Sequence, residues 1–204
     1  MNIAKAIRFL AIGILGLALA FMGVRGLVIS NVKAPIDLYD PYLDWANLKN
    51  GDHIVMDIDF LAGQYMYTEE DGKEISRGYL LPELYADDDG YINIGYCVGV
   101  VAGKDAFTNF EKLQDESYDW WENEDAPWPT NVIHVDGYLR KMDSQEREFA
   151  IETLEEYGFD QADERVIPFM IMQSQSNLAY IGMTALGLII ALVGGIFVVV
   201  SVKN

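Results

Sequence analysis

Hydrophobic and polar positions divide this chain into three stretches. Residues 9–30 are almost wholly apolar, interrupted by Arg25, and residues 178–202 are apolar with no charge at all. Each is long enough as a helix to cross a bilayer core, which takes roughly 20 residues rising about 1.5 Å each. Between them the pattern changes to short alternating runs, and all 32 Asp and Glu residues lie there, from Asp37 to Glu164. The layout predicts a cytoplasmic tail at 1–8, a transmembrane helix at 9–30, an extracytoplasmic domain at 31–177, a second transmembrane helix at 178–202 and a cytoplasmic tail at 203–204.

Inside the domain the alternation has the period of strands. From His53 to Phe60, Ile54, Met56, Ile58 and Phe60 share one face, while His53, Val55, Asp57 and Asp59 share the other. Gly63 marks a bulge before a strand at Gln64–Thr68, and Asp71-Gly72 is a hairpin turn. A strand at Ile75–Leu81 is expected to stop at Pro82. Asp87–Gly90 forms the next turn. Tyr91–Val101 reads as a central strand with a bulky face (Ile92, Ile94, Tyr96, Val98, Val100) and a flat one (Asn93, Gly95, Cys97, Gly99).

Helical spacing then appears at Phe107, Phe110, Leu113 and Trp121, and Pro127 and Pro129 forbid its continuation. A strand follows at Asn131–Leu139. Asp143 with Glu146 has the form of a capping box opening a helix whose stripe is Phe149, Ala150, Leu154 and Tyr157 and whose stop is Gly158. Val166–Met172 completes the set, assigned to a sheet edge because of Pro168. The fold class is therefore α+β: two transmembrane helices flanking one domain with a mainly antiparallel sheet and about two helices.

Lys5 and Arg8 precede the first span and Lys203 follows the second, which places both ends inside the cell. Arg25 lies near one end of its span, where its long stem reaches the headgroups. A cleaved signal peptide is the rival for the first segment, since Ala18-Leu19-Ala20 has the small-x-small form. The apolar run continues to Val24, longer than the usual 7–15 residues or so of such a peptide, and favours a span. Small residues recur every fourth position, at Gly16 and Ala20 and at Gly187, Ala191 and Gly195. This spacing lets helices approach closely in lipid. The favoured reading packs the two helices on each other; the alternatives are a homodimer or another membrane protein.

Charge narrows the partners. Ten basic residues stand against 32 acidic ones in the domain, a net charge of about −22. Nucleic acid and anionic headgroups suit such a surface poorly; cationic peptides, metal ions or a basic protein face suit it better. The lipid bilayer is the partner of the two spans. The single cysteine, Cys97, excludes an intrachain disulfide, and its apolar neighbours point to a buried, inert thiol.

Candidate chemistry is sparse. Asp57 and Asp59, at about 7 Å along a strand, could meet His134 and Asp136 at a metal ion if their strands pair. A solvated strand face is the favoured account. Asp87–Gly90 fails as a calcium loop, with Tyr85 and Tyr96 where its first and last ligands belong. The segment from Tyr118 to Pro129 sets Trp120, Trp121 and Trp128 among acids. These tryptophans are candidates for partner binding, against the alternative that Trp121 and Trp128 cover the core. Serine-hydrolase, zinc-protease, phosphate-loop and dithiol motifs are absent, and no catalytic residue or cofactor is predicted.

Four stretches carry a resemblance: Lys5-Ala6-Ile7-Arg8, Gly51-Asp52-His53-Ile54-Val55-Met56-Asp57, Tyr91-Ile92-Asn93-Ile94-Gly95-Tyr96, and the glycine-rich second span. With them the chain resembles a group of two-span membrane proteins of Gram-positive anaerobic bacteria to which no activity is assigned. The resemblance covers most of the chain and transfers no functional residue. The expectation is a membrane-anchored binding or accessory protein beside a transporter or cell-surface complex. Its rivals are a surface enzyme using a metal at His134 and Asp136, and a structural membrane subunit.

Overall fold

A computed structural model describes residues 3–86, 92–123, 125–174 and 176–203. The expected Asp87–Gly90 turn, the strand start at Tyr91 and Glu124 of the Trp–acid segment lie outside the described residues. The chain divides into two units, one of residues 1–33 with 174–204 and one of residues 34–173.

The first unit is a pair of helices, α1 (Ile3–Val32) and α5 (Asn177–Lys203). Both are long and apolar enough to cross a membrane, with mean hydropathy 2.2 and 2.8 over their most apolar stretches. They run antiparallel. Phe9 stacks on Phe197 at 4.9 Å near one end, and Asn31 and Asn177 exchange amide hydrogen bonds of 3.0 and 3.1 Å at the other. Glycine makes the close approach between them. A Cβ on Gly16 would stand 2.5 Å from the Ala191 nitrogen, and one on Gly187 would stand 2.4 Å from the Ala20 nitrogen. Gly194 faces the Gly13 backbone in the same way at 2.8 Å, whereas nothing lies within 4 Å of a Cβ on Gly195. Helix geometry explains the exchange. At about 100° per residue, positions 187, 191 and 194 span about 60°, while 195 is turned about 80° from 187. A strict four-residue repeat drifts off the contact stripe by its third member.

The second unit is built on one six-stranded sheet in the order β1-β5-β6-β4-β3-β2. The strands are β1 (His53–Ile58), β2 (Gly63–Glu70), β3 (Lys73–Ala86), β4 (Ile92–Gly103), β5 (Ile133–Lys141) and β6 (Val166–Gln173). β4 and β6 pair in parallel, and the other neighbouring strands of the sheet pair antiparallel. The β2–β3 hairpin turns at Asp71 and Gly72, whose φ values of 52° and 72° are the left-handed pair that such a turn requires.

Both faces of the sheet are covered. On one side α2 (Phe107–Glu122) sets Phe110 and Leu113 against Val98, Val100, Tyr79 and Ile171, with Leu38, Trp45 and Leu48 of the preceding loop in the same core. On the other, Ala150 and Leu154 of α3 (Ser144–Glu156) and Ala162 of the short α4 (Ala162–Arg165) pack on Cys97, Val101 and Met170. The capping box at Asp143 and Glu146 opens α3. Phe149 and Tyr157, expected in its inner stripe, are instead 38 % and 42 % exposed.

Three strand expectations are corrected. β3 continues through Pro82, because β2 pairs only as far as Leu80 and leaves β3 an open side where no amide is needed. β6 is a central strand, not an edge. Pro168 falls where the β4 register skips from Val166 to Met170, just before the β5 ladder begins at Phe169, so it removes no ladder bond. In β4 the alternation breaks at a bulge opposite Glu83, so Ile94 joins Cys97 on one face while Val98 and Val100 take the other. Arg165 holds this bulge by donating to the Ile94 carbonyl, and Glu83 accepts from the Tyr96 amide at 3.2 Å.

Candidate functional site

The loop before β1 is written in aspartates. Asp37, Asp40 and Asp44 each accept a hydrogen bond from the amide two residues on, at 2.9, 3.0 and 3.0 Å. Such side-chain turns replace the backbone bonds that a loop lacks. Ile36 then pairs with the outer edge of β1, its amide donating to the His53 carbonyl at 2.8 Å and its carbonyl accepting from Val55 at 3.0 Å. The result lays Tyr39 and Trp45 beside the end of β1.

On the other side the chain leaving α2 brings Trp128 to the same place. Phe60, only 2 % exposed, is the hub. Trp128 stacks on it at 5.3 Å, Trp120 meets it edge-on at 5.6 Å and Trp121 lies tilted at 6.3 Å. Trp121 also reaches Phe159 at 5.9 Å. Trp121 and Trp128 keep 36 % and 39 % exposure. The segment thus does both things that its sequence allowed: it covers Phe60 and it leaves indole surface in water. Behind Trp121 a cavity of about 30 Å³ is lined by Phe60, Tyr118, Tyr157 and Phe159.

Between the loop and Trp128 is an open recess of about 350 Å³. Tyr39, Asp40, Trp45, Asp59, Glu83 and Trp128 are among its walls, and none of its lining residues is basic. The Trp128 indole donates to Asp59 Oδ2 at 3.2 Å. The Tyr39 hydroxyl faces the same carboxylate, and its pKa is pushed up, first by burial and then by Asp59 and Asp37. Asp59 therefore accepts from a neutral donor, Trp128, which orients the carboxylate without cancelling its charge. Among the described residues no Lys, Arg or His pairs with Asp59 or Glu83.

The metal candidates are placed differently. β1 and β5 do pair, with Asp57 opposite His134 and Val55 opposite Asp136. His134 Nδ1 lies 2.7 Å from Asp57 Oδ1, and His53 Nε2 lies 3.0 Å from Asp136 Oδ1. Asp59 lies past the end of β1 and turns to Trp128 instead. The four residues Asp57, Asp59, His134 and Asp136 are thus split between two His–Asp pairs and the recess. Among the described residues no group of three or more His, Cys, Asp or Glu side chains is placed to hold a metal ion. Tyr39, Trp45 and Glu83 were not read from the sequence as site residues. The signal for the first two was the Asp–aromatic–Pro run from Asp37 to Trp45.

A family model described as Domain of unknown function (DUF8577) matches residues 1–201. The chain belongs to that family. The DUF8577 match takes in the whole sheet and the two apolar helices as far as residue 201. It accords with the expected membership in a group without an assigned activity, while the bacterial source stays an expectation. No curated protein and no solved structure matches the chain.

Proposed function

We propose that this protein is a membrane-anchored binding or accessory subunit. The helices α1 and α5 cross the bilayer, and the acidic domain is presented outside the cytoplasm. The observation that supports this reading is the set of tryptophans gathered on Phe60, with Trp121 and Trp128 left 36 % and 39 % exposed on a strongly acidic domain. Exposed indole beside a charged rim is the composition of interface hot spots. The orientation follows from Lys5 and Arg8 before α1, with the domain too long a loop to weigh against them.

Gentle detergent extraction from native membranes, with cross-linking, tests the binding reading. A partner recovered in fixed stoichiometry with the native chain and lost with Trp121→Ser is the expected result. Equal recovery with Trp121→Ser, or recovery of the chain alone, refutes it. The topology is tested separately. Tyr42, 94 % exposed, is replaced by Cys and treated in intact cells with a maleimide that does not cross membranes. Labelling is expected, and protection until lysis overturns the orientation.

A further inference from the structure

Resting on the binding reading above, we infer that the recess between the Asp37–Trp45 loop and Trp128 is a site for an alkylammonium group, of the kind carried by a lysine side chain or a small aliphatic amine.

Size, walls and charge converge on this ligand class. A recess of about 350 Å³ is within the range of small-ligand sites, roughly 300–1,000 Å³, and is large enough for an aliphatic stem with its charged head. Two carboxylates, Asp59 and Glu83, stand in its walls with no cationic partner among the described residues, and both are already turned by neutral donors. Trp128, Tyr39 and Trp45 supply aromatic walls. A ring face attracts a cation through its quadrupole, most strongly for Trp. The Trp128 indole is held by Phe60, stacked at 5.3 Å, and by Trp120, edge-on at 4.9 Å, and the residue remains 39 % exposed. An anion would meet Asp40, Asp59 and Glu83. A neutral apolar ligand would leave those carboxylates desolvated without compensation. Among the described residues no three His, Cys, Asp or Glu side chains, those of the recess included, are placed to hold a metal ion. An alkylammonium satisfies the acids with its head and the rings with its stem.

The site is rigid where recognition needs it to be. The Asp37, Asp40 and Asp44 turns set the loop, and Asp59 is held by the Trp128 indole. Ligand binding therefore orders little chain, which favours even a small cation.

The test uses the full chain in a sugar-headgroup detergent, since zwitterionic headgroups carry the same chemistry as the ligand. Tryptophan is labelled with nitrogen-15, and the Trp128 indole N–H signal is identified from Trp128→Phe. The probes are Nα-acetyl-lysine methylamide, n-butylammonium chloride and, as neutral isostere, Nα-acetyl-norleucine methylamide. Saturable movement of the Trp128 signal with the two cations and not with norleucine is expected. Asp59→Asn and Glu83→Gln, which keep shape and one acceptor oxygen, should each weaken the cations by roughly fivefold, the worth of one part-exposed ion pair. Added salt should weaken them further. The inference is overturned by no movement with either cation, by equal binding of norleucine, or by full affinity in both acid variants.

The source of the cation is read from the same variants in the membrane extraction. Loss of the partner with Asp59→Asn assigns the ammonium to a lysine of that partner; retention of the partner with loss of probe binding assigns it to a free amine. If a Trp121-dependent partner is recovered while the recess takes no cation, this inference alone fails. If the recess takes cations but no partner is recovered, the partner reading alone fails.

Discussion

Replacing Phe60 by leucine should loosen the site more than an equally buried phenylalanine elsewhere in the same core. Phe60 is 2 % exposed and makes ring pairs with Trp120, Trp121 and Trp128 at 5.6, 6.3 and 5.3 Å. Phe110 is 0 % exposed and among the described residues makes one, with Tyr79 at 5.1 Å. The lost ring volume and transfer free energy are the same chemistry at both sites, so they largely cancel in the comparison. Two additional aromatic pairs remain, each worth about 0.5–1.5 kcal/mol beyond area burial. Because Trp120 pairs with both other indoles and two of the three are part-exposed, their contributions do not add fully, and the lower end of that range applies. Phe60→Leu should therefore cost at least about 1 kcal/mol more than Phe110→Leu. For a chain of this size that separates the two unfolding midpoints by about 2–4 °C. The assay is thermal unfolding of each full-length variant in detergent, followed by the near-ultraviolet circular dichroism of the tryptophans. Phe60→Leu should also flatten that signal before unfolding begins, because the indoles lose their fixed mutual angles. Equal midpoints, or a lower one for Phe110→Leu, would refute the assignment of Phe60 as the hub of the indole cluster.

Three further outcomes are expected. Gly187→Val should lower the unfolding midpoint of the detergent-purified protein while Gly195→Val leaves it within the error of measurement, since only the first adds atoms against Ala20; equal losses would place an outer helix partner at Gly195. Burial pushes the Cys97 thiol up to about 12 from an ordinary value of 9.0, and burial first also raises the Tyr65 hydroxyl. Both groups are held protonated by the fold, so their stabilisation is complete below the unfolded values and is lost as pH rises above about 9 toward 12. An alkaline unfolding transition, preceded by no reaction of Cys97 with maleimide at neutral pH, is the expected observation, and rapid native-state alkylation would contradict it. Finally, Asp143→Ala removes the bond that its carboxylate accepts from the Glu146 amide at 2.9 Å and should cost about 1 kcal/mol in denaturant unfolding, while Asp143→Asn should cost a few tenths. Equal costs for the two would show that the side-chain cap contributes nothing.

Much of this protein was decided locally and could be read from the chain alone. Two long apolar runs, the first broken only by Arg25, specify two long helices, because in helix each backbone group finds its partner within four residues whatever surrounds it. The same holds for the Asp71-Gly72 turn and for the capping box at Asp143 and Glu146, whose bonds close within three residues. Ile54, Met56 and Ile58 of β1 and Phe110 and Leu113 of α2 turn inward as their spacing indicated, whereas His53 is buried against the alternation and Trp121 stays 36 % exposed.

What the sequence could not decide is whatever depends on which strands become neighbours. The β1–β5 register gives each histidine its own aspartate and sends Asp59 elsewhere, and one residue of slip would have rearranged all of them. Pro168 reads locally as an edge signal, yet β6 is central because a register skip from Val166 to Met170 absorbs the proline. The bulge opposite Glu83 turns Ile94 to the other face, since an inserted residue reverses every alternation beyond it. The recess is the fullest case. Tyr39, Asp59, Glu83 and Trp128 come from a loop, a strand end, a second strand and the tail of a helix, and only the packed sheet brings those four segments to one place.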